Sequence, residues 1–224
     1  MVRGNGGLKN VACIYCYVAG LIAGDGTVDF PDSHGHYRAR IFDSSRAFLE
    51  ALSREFNARI GLRPTVYWEG SCWCLEIYGK QVVASFLERL RKPKHELEWL
   101  KGFVDAEGSV YLWVRKRDRK YYQISITNSN RQYIEAVTLC LKKLGIAHRA
   151  RKRRELDKRT NKIYVKYDVL INRKSSIVLF LKLVGFRHPV KSSRVDRLLS
   201  PLPPTSRGRT LPTGGVGRLR GRSA

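Results

Sequence analysis

The sequence contains no long hydrophobic segment. None of its apolar runs approaches the roughly 20 residues that a helix needs to cross a bilayer, and the N-terminal stretch MVRGNGGLKN lacks the apolar part of a secretory signal. Both absences argue against a membrane protein and against export. We therefore expect an intracellular protein, in the cytoplasm or nucleoid or, if the source is eukaryotic, in an organelle, with no membrane partner.

Acidic residues are scarce relative to basic ones. The 224 residues include 19 Asp and Glu against 43 Lys and Arg, which gives a formal net charge of +24. Charge of this size opposes a compact state unless a polyanion neutralises it, and nucleic acids offer dense phosphate charge. An apolar content of 43% is nevertheless sufficient for a folded core. A globular protein that binds nucleic acid is the expectation, and an anionic membrane surface is the weaker alternative.

Cysteine is sparse as well, and its five copies do not form an obvious metal site. Cys13 and Cys16 make a C-x-x-C pattern on the approach to an apolar helix, whereas Cys72 and Cys74 share one face of a predicted strand. Cys140 is far from both pairs in the sequence. We expect buried structural thiols. A disulfide and a zinc site are the alternatives that the spacing leaves open.

The sequence consists of two related halves. Residues 17–28 read YVAGLIAGDGTV and residues 99–112 read WLKGFVDAEGSVYL, and both apolar runs lead to an acid followed by glycine. Aligning Asp25 with Glu107 gives an offset of 107 − 25 = 82. A repeat of this kind has to be recognised before individual elements are assigned, because it constrains both halves together.

A second match keeps nearly the same register. SSRAFLEAL at 44–52 corresponds to SNRQYIEAV at 129–137 with an offset of 129 − 44 = 85, and the three-residue difference falls in a predicted turn. Ser44 and Ser129 are good N-caps for the helix that follows each of them. One match could be coincidence, but two matches in register indicate a duplication.

Each half has the same order of predicted elements, αββαββα. The expected fold class is therefore α+β, with two pseudo-symmetric repeats and a pair of motif helices, predicted at 11–24 and 96–106, at their interface. Pro93 marks the joint, because proline breaks one helix before the next begins. The predicted organisation is a flexible N-terminus at 1–10, a first repeat at 11–93, a second repeat at 94–199 and a disordered basic tail at 200–224.

Small residues recur on one face of each motif helix. Gly20 and Gly24 are four residues apart, as are Gly102 and Ala106, so each pair shares a helix face. Small side chains let two helix backbones approach closely. We expect the two motif helices to pack against each other around a pseudo-two-fold axis, which would bring their C-terminal ends together.

This packing would place Asp25 beside Glu107. A helix C-terminus is already electronegative, and two acids that meet at two such ends raise each other's pKa. A divalent metal relieves this repulsion, because carboxylates and free carbonyl oxygens, here those of Gly24 and Ala106, are the ligands that Mg²⁺ prefers. On a basic protein this arrangement favours metal-dependent phosphodiester hydrolysis. An acid that merely ends a solvated helix is the alternative, and the duplication argues against it.

The two motifs resemble a known family. VAGLIAGDG at 18–26 and LKGFVDAEG at 100–108 are similar to the two signature motifs of single-chain LAGLIDADG homing endonucleases, of the archaeal intron-encoded type. The resemblance covers nearly the whole chain. It implies a monomer in which two repeats form a DNA-binding saddle, and a staggered double-strand break in a long DNA target, made with Mg²⁺ or Mn²⁺. The unequal basicity of the two halves predicts that this target is asymmetric.

The resemblance assigns the metal-binding acids to Asp25 and Glu107. The first motif departs from the family pattern at Ala23, where an aspartate is common, whereas the second motif keeps Asp105. This position usually serves helix-end or interface structure in the family. The departure therefore does not affect the predicted catalytic acids.

The family also places basic or polar side chains near the metals, where they orient water and stabilise developing charge. Lys80 and Lys174 fit this role by internal symmetry, since each begins the last helix of its repeat. Asp43 and Asn128 correspond at the end of the second strand and are further catalytic candidates. The alternatives are solvated lysines and residues that cap the following helix.

The predicted DNA contacts are basic and aromatic side chains on the strands. Such a sheet face fits the major groove, where Arg reads guanine and Gln reads adenine, although charged strand faces are often only solvated. The candidates are Tyr37, Arg38, Arg40, Tyr67, Trp73, Arg115, Arg117, Tyr122, Gln123, Arg149, Arg151, Arg153, Lys162, Tyr164 and Lys166.

Two other functions use the same fold. A splicing maturase would bind its own intron RNA without cutting DNA, and a DNA-binding regulator would use the saddle without chemistry. Both leave the paired acids without a purpose, so the sequence favours the endonuclease with double-stranded DNA as partner. It does not exclude that the same protein also binds its intron RNA.

Overall fold

A computed structural model describes residues 13–29, 37–93, 95–115, 119–157 and 160–199. The predicted N-terminal segment at 1–10 and the predicted tail at 200–224 lie outside the described residues. No helix within these ranges combines the length and the hydropathy that a membrane crossing requires.

The predicted αββαββα order is confirmed in both halves. The first repeat comprises α1 (Ile14–Asp25), β1 (Gly26–Asp29), β2 (Arg38–Asp43), α2 (Arg46–Ile60), β3 (Thr65–Trp68), β4 (Trp73–Tyr78) and α3 (Lys80–Arg91). The second comprises α4 (Glu96–Glu107), β5 (Gly108–Arg115), β6 (Arg119–Asn128), α5 (Arg131–Lys143), β7 (Arg149–Asp157), β8 (Lys162–Ile171) and α6 (Lys174–Leu183). An additional helix, α7 (Pro189–Leu199), follows and was not predicted.

The strands form two antiparallel sheets of the same topology. Their orders are β1-β2-β4-β3 and β5-β6-β8-β7. Side chains alternate between the faces of each sheet, and the buried face of the first sheet carries Ala39, Ile41, Leu75 and Ile77. The opposite face of each sheet carries the polar residues.

The central helices of the two repeats begin one residue later than predicted. The caps are Ser45 and Asn130 rather than Ser44 and Ser129, and each cap side chain accepts a hydrogen bond from an amide of the first turn. Capping oxygens of this kind satisfy amides that have no partner inside the helix. The duplicated motif therefore produces the same local structure twice.

The motif helices α1 and α4 pack directly against each other, as the small residues predicted. A Cβ atom on Gly20 would lie 2.1 Å from the carbonyl oxygen of Trp99, and one on Gly102 would lie 1.9 Å from that of Tyr17. Real Cβ atoms do not approach backbone so closely, so no larger residue fits at either position. The close approach makes α1 part of both hydrophobic cores.

The two cores meet along α1. Its residues Cys16, Ala19 and Ala23 pack with the second repeat, whereas Val18 and Leu21 pack with the first. A helix buried on nearly all sides explains why its sequence is apolar throughout rather than amphipathic. The interface between the repeats is thus continuous with their interiors.

Candidate active site at the ends of the paired helices

The two motif helices end side by side on their acids. Asp25 is the last residue of α1 and Glu107 is the last residue of α4. A Cβ atom on Gly24 would lie 2.4 Å from Cβ of Ala106 and 3.0 Å from Cγ of Glu107. The structure therefore brings together the acids and the neighbouring backbone positions that the sequence predicted as a site.

Burial and a neighbouring acid raise the pKa of each carboxyl group. Burial, followed by the charge of Asp25, raises the pKa of Glu107 to about 7, and a hydrogen bond that the Asn128 amide donates to Glu107 Oε1 acts in the opposite direction. Burial also raises the pKa of Asp25, with a smaller contribution from Asp43. Two carboxylates with raised pKa values at one point form a site that favours a cation.

A lysine from α7 already places a cation there. Lys191 Nζ donates a hydrogen bond to the carbonyl oxygen of Ala106 at 2.6 Å and another to that of Asp105. Burial lowers the pKa of Lys191, and the surrounding carboxylates, among them Asp25 and Glu107, oppose this shift. The ammonium group thus forms a hydrogen bond to the carbonyl oxygen of Ala106, which the sequence predicted as a metal ligand.

Asp43 and Asn128 occupy equivalent places in the two repeats. Each side-chain oxygen accepts the backbone amide two residues further on, at 2.6 Å and 2.7 Å respectively, and so shapes the turn into the next helix. Asn128 also binds Glu107, whereas Asp43 lies 3.1 Å from Nε2 of His188. Both residues are therefore near the acids, as predicted, whereas the caps of the following helices are Ser45 and Asn130.

Asp105 holds the start of α7 in place. Its carboxylate, 1% exposed, accepts hydrogen bonds from the Tyr17 hydroxyl at 2.6 Å and from the backbone amides of Arg187 and His188 at 2.9 Å and 3.0 Å. A buried carboxylate with three donors is well satisfied. Because Lys191 lies a few residues further along the chain, Asp105 also determines where this lysine lies.

Lys80 and Lys174 are not part of this site, which corrects their prediction. Lys80 follows the end of β4 that pairs with Arg38, whereas Asp43 is at the other end of β2, roughly 17 Å away at about 3.3 Å per residue. Lys174 follows the corresponding end of β8. Both lysines are exposed first residues of helices. The symmetry of the repeats was correctly recognised, but it places this pair at the far ends of the sheets.

Two basic residues do lie near the acids, Lys191 on α7 and Lys166 on β8, and their charges both act on Glu107. Sequence reasoning missed Lys191 and named Lys166 only as a DNA contact. A signal for α7 existed, because the R-x-P pattern at 91–93 recurs at 187–189, with offsets of 187 − 91 = 96 and 189 − 93 = 96. Pro at the first position of a helix is common. In the first repeat this pattern leads into α4, and in the second it leads into α7.

Two polar cavities flank the helix ends, and Gly24, Asp25 and Ala106 line both. The cavity on the side of the first repeat is also lined by Asp43, Cys72, His188, Lys191 and Arg194. The cavity on the side of the second repeat is also lined by Glu107, Ser109, Ser125, Thr127, Asn128, Arg153 and Lys166. The two halves of the site therefore differ in chemistry although the helices that end there are equivalent.

The donor set suits a hard divalent cation. Asp25 and Glu107 offer carboxylate oxygens, and the carbonyl of Ala106 already accepts a cationic donor. Across the described ranges, no three His, Cys, Asp or Glu side chains gather around one point. A metal ion would therefore depend on these two acids, on the backbone carbonyls and on oxygens supplied by a bound substrate, which is typical of Mg²⁺.

The strand register separates the predicted DNA contacts by face. In the first sheet Arg38 and Arg40 share the polar face with Tyr67, since residues that pair across antiparallel strands point the same way. Tyr37 and Trp73 pack instead against the hydrophobic core, and the Arg46 guanidinium lies 4.8 Å from the centroid of the Trp73 ring. Tyr37 and Trp73 were chosen for residue type rather than strand phase, and this part of the prediction is corrected.

The second sheet carries most of the predicted contacts. Tyr122 is the exception there, because it packs against the core. The side chain of Arg115 and the whole of Arg117 lie outside the described part. The polar face, which adjoins the acids, presents Gln123, Arg149, Arg151, Arg153, Lys162, Tyr164 and Lys166.

Acidic partners neutralise the two faces unequally. Arg38 and Arg40 both lie within 3.2 Å of Asp29, and each pairs with a further glutamate at 3.3–3.5 Å. In the second sheet the buried Asp168 forms ion pairs with both Arg151 and Arg153. Arg149 and Lys162 make no ion pair with any residue that the structure describes. The second face is consequently the more basic of the two.

Known proteins are similar to this chain in sequence and fold. Residues 94–185 match the family described as LAGLIDADG-like domain. Homing endonuclease I-ApeI of Aeropyrum pernix is 30% identical over 117 residues, which cover 50% of this chain and 45% of that protein. Homing endonuclease I-DmoI of Desulfurococcus mucosus is 26% identical over 216 residues, which cover 89% of this chain and 96% of that protein. The chain spans about half the length of the first curated relatives that it matches.

A solved structure agrees with the two-repeat architecture. The crystal structure of I-DmoI in complex with DNA and Ca has a TM-score of 0.59 to this chain at 19% identity, and the match covers 84% of this chain and 100% of that chain. The resemblance that the two motifs indicated is confirmed. Residues 94–185 thus match the LAGLIDADG-like domain, and the chain has the two-repeat fold of the single-chain LAGLIDADG homing endonucleases.

Proposed function

We propose that this protein is a site-specific homing endonuclease. In this proposal it makes a staggered double-strand break in a long, asymmetric DNA target by hydrolysing one phosphodiester in each strand, with Mg²⁺ or Mn²⁺ as cofactor. The observation that carries the proposal is the pairing of Asp25 and Glu107 at the ends of two packed helices, one from each repeat. One acid per repeat matches one cleavage per strand of a pseudo-symmetric duplex.

The charge distribution supports DNA as the substrate. A net charge of +24 favours a polyanion, and the more basic face, on the second sheet, adjoins the acids. Carboxylates would repel a phosphate backbone by themselves, so the surrounding cations Lys166 and Lys191 are needed to hold the phosphates beside them. The unequal faces of the two sheets support an asymmetric target sequence.

A divalent metal ion held by Asp25, Glu107 and the helix-end carbonyls would supply a hydroxide nucleophile at neutral pH and would stabilise charge on the phosphate. The chain's own residues perform the positioning. Asn128 fixes Oε1 of Glu107 by a hydrogen bond, and the Asx turns of Asp43 and Asn128 hold the strand ends against the acids. Lys166 presents an ammonium group on the side of Glu107, where it would stabilise a developing oxyanion.

The proposal is tested with DNA that carries the uninterrupted junction of the host gene. Purified protein and Mg²⁺ should produce a double-strand break whose two cut positions, read by sequencing both ends, are offset. Asp25→Asn and Glu107→Gln should each lower the cleavage rate at least about a hundredfold while DNA binding in Ca²⁺ is retained. Glu135→Gln, on the exposed face of α5, is the matched control and should cut like the wild type.

Other outcomes would identify other functions. Tight binding to intron RNA without any DNA break would favour a splicing maturase, and sequence-specific DNA binding without a break would favour a regulator. Either result would overturn the proposal that the protein is an endonuclease. Full cleavage by Asp25→Asn or Glu107→Gln would overturn the assignment of the acids. We propose that the protein acts inside the cell and that it binds DNA as a monomer. Sedimentation of the DNA complex would test the monomeric state.

A further inference from the structure

Two cysteines lie at the opposite end of the helix pair from the acids. Cys13 is the N-cap of α1 and is half-exposed, whereas Cys16 lies in the first turn and is buried. The amide of Cys16 donates to the carbonyl of Cys13 at 3.0 Å, and the Cys13 thiol is near enough to raise the pKa of Cys16. Residues three apart in a helix turn lie about 5–6 Å apart at Cβ, so a small closure would bring the sulfurs to bonding distance.

Positive charge from three sources surrounds this pair. The thiols lie at the N-terminus of α1, and the backbone amide of His95, the N-cap of α4, acts to lower the pKa of Cys16. Two positive helix ends therefore meet at the thiols, just as two negative ends meet at the acids. The charge of Arg89 also acts on Cys16, and the buried Nε of Arg89 has no hydrogen-bond acceptor within the described ranges. These groups lower the pKa of the Cys16 thiol, but burial and the neighbouring Cys13 raise it by more, so the pKa stays above its ordinary value.

From this geometry we infer that Cys13 and Cys16 form a redox-active dithiol, whose oxidation to an intrahelical disulfide locks the first turn of α1. The five cysteines are free thiols in this structure, which therefore shows the reduced form. The pair is independent of the proposed nuclease chemistry, since the acids lie at the far end of α1, which is 12 residues long.

The oxidant in this inference is a low-molecular-weight disulfide, such as oxidised glutathione. The thiolate of Cys13, the accessible residue, attacks one sulfur of the oxidant, forms a mixed disulfide and releases one thiolate. The thiolate of Cys16 then attacks the sulfur of Cys13 and releases the second thiolate. The protein loses two electrons and two protons in total, and the oxidant becomes two thiols. Burial raises the pKa of Cys16 and so lowers its thiolate fraction, and the second step therefore depends on the closeness of the two sulfurs within one helical turn.

Tryptic peptides separate the five cysteines cleanly. Cleavage after Lys and Arg places Cys13 and Cys16 in the peptide 10–38, Cys72 and Cys74 in the peptide 60–80, and Cys140 in the peptide 132–142. The full chain is equilibrated in glutathione buffers of graded potential, quenched with acid, alkylated and digested. At oxidising potentials the peptide 10–38 should lose two hydrogen atoms and take up no alkylating reagent, while the other two peptides remain alkylated.

Two variants make the result decisive. Cys16→Ala should leave a glutathione adduct trapped on Cys13, because the second step is removed. If this variant folds poorly, Cys13→Ser, at a half-exposed position, should leave Cys16 alkylated at every potential. Cys72→Ala is the control and should not change the oxidation of the peptide 10–38. The oxidised wild type should unfold a few degrees higher than the reduced protein.

Several results would overturn the inference. Full alkylation of the peptide 10–38 at potentials that oxidise glutaredoxin-type dithiols would show that the pair is inert. A stable glutathione adduct on wild-type Cys13 would show that Cys16 cannot reach it. A disulfide that joins the peptide 10–38 to the peptide 132–142 would identify Cys140 as the real partner.

Discussion

Lys191 Nζ lies 2.6 Å from the carbonyl oxygen of Ala106, at the point where the two motif helices end. Together with the hydrogen bond to the carbonyl of Asp105, this contact joins α7 to the helix ends and places a positive charge beside the two carboxylates. Because an ammonium group and a divalent cation compete for the same oxygens, the lysine and the metal are expected to be thermodynamically linked. The consequence can be measured without DNA and without catalysis.

Lys191→Met should bind Ca²⁺ more tightly than the wild type. The substitution removes a buried cation while its unbranched chain keeps similar volume, so a divalent ion no longer has to displace or approach a positive charge. We expect about a tenfold gain in affinity, which corresponds to about 1.4 kcal/mol, measured by calorimetric titration of the DNA-free protein.

Lys182→Met, on the exposed face of α6, is the matched control for Lys191→Met. It removes the same charge from the protein without touching the acids, so its Ca²⁺ affinity should stay within about twofold of the wild type. Equal gains in both variants would show that only net charge matters. Weaker Ca²⁺ binding by Lys191→Met would contradict the competition.

The raised pKa of Glu107 predicts how stability depends on pH. Its value of about 7 in the folded protein exceeds the ordinary 4.5, so between these pH values the folded state binds more protons than the unfolded state. The stabilisation is fully present below pH 4.5 and is lost as pH rises through 7. In EDTA, the free energy of unfolding should fall across this window by about 1–2 kcal/mol from Glu107, after allowance for its partial exposure.

Glu107→Gln should flatten this dependence, because the amide cannot ionise. Urea titrations at pH 5, 6, 7 and 8 measure the free energy of unfolding of both proteins. The stability of the variant relative to the wild type should increase as pH rises. Glu135→Gln keeps the pair of acids intact and should follow the wild-type curve. A wild-type protein whose stability rises between pH 5 and pH 7 would be incompatible with a repulsive acid pair in the metal-free state.

The sequence predicted the helix pair and its acids because a duplication constrains both halves at once. The prediction used residues that have a counterpart in the other repeat, Gly20 with Gly102 and Asp25 with Glu107. Their contacts all lie at the interface between the repeats. Lys191 had no such counterpart near the acids. It reaches them only because α7 folds back across the first repeat, and this return depends on tertiary contacts of Asp105 that no periodicity records.

Strand phase explains the other errors. Tyr37, Trp73 and Tyr122 have the residue types of a DNA-reading surface, but alternation along the strand turns them towards the core. The phase of β4 could have been read from the apolar alternation of Leu75 and Ile77. Aromatic side chains fit both a core and a nucleic-acid surface, so composition alone cannot separate these two environments.

Gly102→Ala should be strongly destabilising. The added methyl group would lie 1.9 Å from the carbonyl oxygen of Tyr17, which belongs to the backbone of the partner helix and cannot rotate away. The helices would have to separate, and both hydrophobic cores would loosen, so we expect a loss of at least about 3 kcal/mol in the free energy of unfolding.

Ala84→Ser provides the comparison for Gly102→Ala, since it adds a single atom to an exposed position of α3. Its effect should remain within about 0.5 kcal/mol. Thermal or urea unfolding of the two variants measures the difference. Near-wild-type stability of Gly102→Ala would mean that α1 and α4 do not approach as closely as their small residues indicate.

The two sheets should contribute unequally to DNA affinity. Arg149→Ala removes a cation on the second sheet that has no ionic partner in the described ranges, whereas Arg38→Ala removes one that pairs with Asp29 at 2.7 Å and with Glu76 at 3.5 Å. A cation that is already neutralised releases fewer counterions when it meets a phosphate. Arg149→Ala should therefore weaken binding and lower the slope of log affinity against log salt by about one, and Arg38→Ala should lower it by less.

Fluorescence anisotropy with the cognate duplex in Ca²⁺, at several salt concentrations, gives both slopes. Tyr122→Phe is the control for the face assignment, because Tyr122 packs against the core and should not change the slope. Equal slopes for Arg149→Ala and Arg38→Ala would mean that the ion pairs of Arg38 open when DNA binds. In that case the first sheet would be as basic in the complex as the second, and the asymmetry of the target would have to come from side-chain chemistry rather than charge.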